Sequence, residues 1–147
     1  MEKRFKFGKN WISFLKGLDS NSINYATHSF NELIQKFSLE GKSFLDVGSG
    51  SGLSSLIAKN KGCSNVRSFD YDNQSVECTR IVKNRFYPND KSWEISHGSV
   101  LNSKFLSSLG KFDFVYSWGV LHHTGNMYKA LKNIDINVKK GGILFIA

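Results

Sequence analysis

The rhythm of apolar positions changes near residue 40. Before it, Ile23, Ala26, Phe30, Leu33, Ile34 and Phe37 recur at three- and four-residue spacing, which predicts a helix with one buried stripe. Residues 1–40 read as helical and amphipathic, broken between Gly17 and Ser22, where Asp19 or Ser20 is placed to cap the second segment. Beyond Lys42, short apolar runs alternate with helical ones. Strands are expected at Ser43–Val47, Val66–Asp70, Trp93–Ser96, Phe112–Trp118 and Ile143–Ala147. Between them lie helices at Leu53–Lys61 (ended by Gly62), Asn73–Phe86 (Val76, Ile81 and Val82 inward) and Ser103–Leu109 (closed by Gly110). A last helix, Asn126–Val138, carries Met127, Ala130, Leu131, Ile134 and Val138, and Gly141–Gly142 forms a turn into the final strand. Strands alternating with helices predict an α/β fold, with parallel strands, helices on both faces and right-handed connections.

The chain has 147 residues, which fits one domain: a helical N-terminal extension over 1–40 and a core over 41–147. Twenty Lys and Arg against 12 Asp and Glu give a net charge of +8, a surplus that steers anionic partners, nucleic acid included. Lys3, Arg4, Lys6, Lys9 and Lys16 crowd one end and Lys129, Lys132, Lys139 and Lys140 the other, without a dense Arg-rich block, so a solvated basic surface is the default reading. Cys63 and Cys78 have neither CxxC spacing nor a disulfide framework, which fits free thiols in the cytoplasm. The apolar run Trp11–Leu15 is broken by Lys16 and is too short for a signal peptide or membrane span.

The chemistry concentrates at Phe44-Leu-Asp-Val-Gly-Ser-Gly-Ser-Gly52. An apolar strand ends in an acid, then in a loop with glycine at every second place, and Leu53, Leu56 and Ile57 open a helix. Such a strand, turn and helix start cradle a ligand that the backbone can approach closely. A dinucleotide fingerprint would need glycine at the sixth place, which here is Leu53. A phosphate loop ending at Gly41-Lys42-Ser43 fails, because Lys36 stands where its first glycine belongs and the triplet precedes the strand. Asp70 closes the second strand, at the sheet end where ligands of open α/β folds lie, and is placed to accept from both hydroxyls of a ribose; Asp72 is a nearby decoy.

Together these segments resemble the class I S-adenosylmethionine-dependent methyltransferases. The glycine loop is similar to their first signature and Phe69-Asp70 to the end of their second strand. His97-Gly98-Ser99-Val100 sits where the family contacts adenine. Phe112–Thr124 resembles the fourth strand with its following loop, and Lys139–Ile146 the entry to the fifth. Phe7-Gly8-Lys9-Asn10-Trp11 resembles a subgroup with a helical lid. The resemblance implies an open, doubly wound, Rossmann-like sheet of order 3-2-1-4-5 and S-adenosyl-L-methionine as cofactor, leaving S-adenosyl-L-homocysteine.

Residue by residue, it implies that Asp46 braces the loop and reaches the methionyl ammonium through water. Gly48, Ser49, Gly50 and Gly52 bring the backbone to the methionine moiety. Asp70 binds the ribose, Tyr71 packs on the adenine, and Ser99 and Val100 lie beside the adenine edge. The family often has Asp at the Ser99 position, and a serine hydroxyl accepts less strongly. Ser117, Trp118 and Gly119 face the methionine tail, and Trp11 or Trp118 attracts the sulfonium through its ring face by roughly 0.5–2 kcal/mol.

Methyl transfer mainly needs alignment and a dry pocket, and a base only if the acceptor must lose a proton. His122 or His123, just past the fourth strand, is the candidate for that role. Neither His28 nor His97 completes a metal-ligand spacing with them, and no metal is expected. Amino methylases of nucleic acids carry Asp or Asn before Pro-Pro and an aromatic after strand four, whereas this chain has Ser-Trp-Gly-Val followed by Leu-His-His-Thr, closer to small-molecule methyltransferases. A small-molecule acceptor is therefore expected. An S-adenosylmethionine-binding module without activity, and an RNA methyltransferase, stand as the alternatives; a nicotinamide oxidoreductase is disfavoured by Leu53. The family usually adds two strands after the fifth. Here Ile143–Ala147 would form an edge, with a dimer or partner expected to cover it unless the chain is a fragment or a naturally minimal form.

Overall fold

Alternate residues of the strand β1 (Ser43–Val47) face opposite layers of helices, and this parity organises the molecule. The computed structural model describes residues 8–34 and 37–147. Phe44 enters one core with Phe114 and Tyr116, whereas Leu45 and Val47 enter a second with Val115. Phe44 lies 5.6 Å from Phe114, nearly parallel to it, and has no exposed surface. Burying a side chain of this size contributes about 1.5–3 kcal/mol.

The other strands are β2 (Asn65–Asp70), β3 (Trp93–His97), β4 (Phe112–Ser117) and β5 (Val138–Ile146). All pairs are parallel and the order is β3-β2-β1-β4-β5, as expected from the alternating pattern and the family resemblance. One layer of helices holds α2 (Ser20–Ile34), α3 (Leu53–Asn60) and α4 (Asn73–Phe86), which send Phe30, Leu56 and Val82 into the first core. The other holds α5 (Ser103–Leu109) and α6 (Met127–Ile134), which send Leu106, Ala130 and Ile134 into the second. Helix α1 (Gly8–Lys16) precedes them, and residues 1–7 of the expected helical extension lie outside the described residues.

Local signals explain the helix starts. Asp19 accepts from the backbone N–H of Ser22 at 2.7 Å, so it caps α2 and Ser20 does not. Asp72 caps α4, Asn102 caps α5 and Asn126 caps α6 in the same way.

The largest boundary differences from expectation fall in the last helix and strand. The last helix ends at Ile134, passes through a 3-10 turn at Asp135–Asn137 and gives way to strand at Val138. Gly141–Gly142 is not a turn before the strand but a bulge within it: pairing steps from Phe112–Val138 to Phe114–Ile143. Backbone packing explains the glycine, since a Cβ at Gly142 would lie 2.9 Å from the Lys139 carbonyl and 3.1 Å from that of Asp113.

Candidate functional site

The carboxyl ends of β1, β2 and β4 open into a cleft that encloses about 130 Å³ and continues into open solvent. Its position follows from the topology, because the connections from β1 and β4 leave on opposite faces of the sheet and part there. Of the residues expected in the site, Gly48, Gly50, Asp70, Tyr71, Val100, Trp118, Gly119, Trp11 and His123 line it.

The glycine loop is held by backbone. The N–H groups of Gly48 and Ser49 both donate to the Phe69 carbonyl, at 2.9 and 3.0 Å, which joins the loop to the end of β2. Asp70 holds the next turn: one oxygen accepts from Gly50 N–H at 3.0 Å and the other from Asp72 N–H at 2.9 Å. The Tyr71 backbone amide also donates to this carboxylate, whose roughly four acceptor sites still leave room for a ligand hydroxyl. Burial pushes the Asp70 carboxyl up, opposed by these amide hydrogen bonds. Gly48 has φ +78°, and a Cβ there would stand 2.4 Å from the Val120 side chain. The loop thus leaves no room for side chains where the cleft begins.

Trp11, on α1, lies against the opposite side of this loop: a Cβ on Gly50 would come within 3.0 Å of its indole Nε1. Trp118 is half exposed and stacks on Phe145, rings 6.1 Å apart and 7° from parallel. Tyr71 is also half exposed, its ring 5.9 Å from that of His97, whose Nε2 meets the Tyr71 carbonyl at 2.8 Å. Since a carbonyl only accepts, that nitrogen carries the proton.

The other expected site residues do not line the cleft. Asp46 shares a sheet face with Phe44 and points under α3, where it accepts from the Ser55 hydroxyl at 2.5 Å. Ser55 meets Ser68 at 2.6 Å, and Ser68 accepts from the Trp93 indole N–H at 2.9 Å, completing a buried polar chain. Ser49 meets Thr79 through its hydroxyl at 2.9 Å, and Gly52 packs against Thr79. Ser99 accepts from Leu101 N–H at 3.1 Å. Ser117 is fully buried, its hydroxyl 3.3 Å from the Val47 carbonyl. His122 faces solvent beside His123, rings 3.9 Å apart, so the structure brings only one of the pair to the cleft.

Sequence reasoning gave no site role to Val47, Phe69, Ser75, Val120 and Thr124, which also line the cleft with Gly98, and it set aside Asp72, which lines it too. Asp72 carried a signal: an acid two residues beyond a strand-end acid, directly before a helix, is both a cap and a neighbour of the site. Among the described residues no group of three or more His, Cys, Asp or Glu could hold a metal, and no helix is long and apolar enough to cross a membrane. Both cysteines are free and buried.

Burial raises the Asp46 carboxyl to about 7, opposed by the Ser55 hydrogen bond and aided by the charge of Asp70. The folded protein therefore holds this proton more tightly than the unfolded chain does. The resulting stabilisation is complete below the ordinary carboxylate pKa and is lost as pH rises through about 7. Asp46→Asn removes this titration while keeping an acceptor for Ser55. Denaturant unfolding from pH 4 to 8 should show the variant gaining on the parent protein toward pH 8; parallel curves would rule out a buried proton on Asp46.

A family model described as a methyltransferase domain matches residues 22–147. A ribosomal protein L11 methyltransferase of Thermosipho melanesiensis is 30% identical over 92% of this chain and 47% of its own length. A tRNA U34 carboxymethyltransferase of Campylobacter curvus is 26% identical over 92% of this chain and 40% of its own. The chain spans about half the length, or less, of the curated relatives it matches. Among solved structures, a proposed S-adenosyl-L-methionine-dependent methyltransferase of Methanococcus maripaludis superposes with a TM-score of 0.77 at 21% identity, covering 100% of this chain and 66% of that one.

Proposed function

The chain belongs to the methyltransferase-domain family over residues 22–147, and from that membership we propose that it binds S-adenosyl-L-methionine in this cleft and methylates an O, N or C nucleophile of a small molecule. The observation that carries the reading is the cradle itself: a side-chain-free turn at Gly48 and Gly50 beside a strand-end carboxylate, Asp70, that holds Gly50. When bound, the cofactor supplies a methyl group on a cationic sulfur, which the acceptor's lone pair takes as the carbon–sulfur bond breaks, the bond's electrons staying on sulfur and any displaced proton passing to solvent.

The protein's own residues then have four tasks. Asp70 accepts from the ribose hydroxyls, and its two backbone amides fix its orientation beforehand. Tyr71, Gly98 and Val100 bound the adenine end. Trp11 and Trp118 cover the methionine end, exclude water and present ring faces to the positive charge. His123 orients an acceptor proton, and His122, in solvent, has no such part. Asp46 acts through the loop and not by contact, because its carboxylate is spent on Ser55.

A macromolecular acceptor is the second reading, favoured by the names of the two relatives, which act on a ribosomal protein and on tRNA. Calorimetry distinguishes the classes. S-adenosyl-L-homocysteine should bind with micromolar affinity and NAD should not; tight binding of NAD would remove the proposal. Ribosome- or tRNA-dependent methyl incorporation in a radiolabel assay, with none into small-molecule acceptors, would favour the second reading.

A further inference from the structure

A second groove lies against the first. It runs between α1, α2, the start of α3 and the end of β4, and Trp118 lines both cavities. Helix α1 also serves both: Trp11 faces the cleft, and Phe14, one turn later, faces the groove, the two rings edge to face at 6.1 Å. The two spaces therefore share a wall made of Trp11, Phe14 and Trp118.

The chemistry of the groove contrasts with the chain's net charge of +8. Among the described residues no Lys, Arg, His, Asp or Glu lines it. Phe14, Tyr25, Tyr116 and Trp118 supply aromatic rings, Leu33 and Leu53 aliphatic walls. Its polar groups are neutral, an amide from Asn21 and serine hydroxyls. The Ser54 hydroxyl and the phenol of the buried Tyr116 both line the groove and lie close enough to interact. Burial pushes that phenol up to about 12, so it stays a neutral donor and acceptor across the working pH range. An ion entering such a space would lose water without gaining an opposite charge. A flat ring would stack on Trp118 and keep its polar atom for the Ser54–Tyr116 pair.

We propose that this groove is the acceptor site and that its occupant is an uncharged, planar aromatic molecule bearing a hydroxyl or amine. The inference rests on the cofactor reading of the adjoining cleft. A protonated amine and a phosphate group both fit it poorly.

The test uses the whole chain saturated with S-adenosyl-L-homocysteine, with 2-naphthol, 2-naphthoate and 2-naphthylmethylammonium as probes of equal shape and different charge. Naphthol should bind at least tenfold more tightly than either ion in saturation-transfer NMR or calorimetry. Leu33→Glu changes a partly exposed groove residue away from the cleft. It should leave S-adenosyl-L-homocysteine affinity within twofold, weaken naphthol at least fivefold and make the ammonium probe the preferred one. Tyr116→Phe should weaken naphthol about two- to tenfold, the worth of one neutral hydrogen bond, without weakening unsubstituted naphthalene. Homocysteine-form cofactor bound but naphthol absent, or the three probes equal, would overturn the groove assignment alone. Failure of the cofactor product itself to bind would overturn the cleft reading and the groove with it.

Discussion

Asp70→Ala should weaken S-adenosyl-L-homocysteine binding by roughly 1.5–3 kcal/mol, or about 10- to 150-fold, measured by calorimetry at neutral pH. The loss has two sources. The ribose loses its charged acceptor, and the N–H groups of Gly50 and Asp72 lose the oxygens that hold them at 3.0 and 2.9 Å. Asp70→Asn separates these, because its amide keeps one carbonyl oxygen for a backbone N–H but has no negative charge. It should fall between the parent protein and the alanine variant. Affinity in the parent protein should also weaken toward acid, starting at a higher pH than for an ordinary carboxylate, since burial raises this group. The sign follows from the bound form preferring the anion: protonation removes the acceptor and binding declines. Affinity unchanged in Asp70→Ala would remove the ribose assignment.

Gly48→Ala carries the second large effect. A β-carbon there is strained twice, by φ +78° and by overlap with Val120 at 2.4 Å. Val120 lies on the loop after β4 and also lines the cleft, so relief at one point displaces the opposite wall. Cofactor affinity should drop about 100-fold or more, while the thermal midpoint falls by only a few degrees, because the two cores are untouched. The contrasting control is Gly125→Ala, also at positive φ (+78°) but with open space around its missing Cβ and no place in the cleft lining. That variant should cost stability of the same order and leave affinity within twofold. Equal affinity losses in both would mean that backbone strain, and not crowding of the cradle, explains the first.

The contrast between these glycines also marks how far the chain could be read without its structure. Strand β1 and helices α4 and α5 were legible, because apolar patterns are interrupted there by capping Asp, Asn and Gly, whereas the strand order came from the family resemblance. The end of α6 was not. Val138 continues the helical spacing of Ile134 yet pairs with Phe112, so tertiary pairing overrides the local period. Gly141–Gly142 carries the usual turn signal, and only the carbonyls of Phe112, Asp113 and Lys139 show why a bulge needs it.

The site was legible in part for a similar reason. Glycine spacing located the loop, and the end of β2 located Asp70. Asp46 sits one residue from Leu45 and Val47, so strand parity alone assigns it to the Phe44 face of the sheet. The second groove left no trace in the chain, because its walls come from four elements whose meeting depends on how α1 and α2 settle on the sheet.

One carbonyl oxygen, that of Phe69, collects two successive amides of the glycine loop. The outline offered to a ligand is consequently written in main-chain atoms anchored to a neighbouring strand. Engineering that seeks a new guest therefore has more freedom along the Trp118 side than along this one.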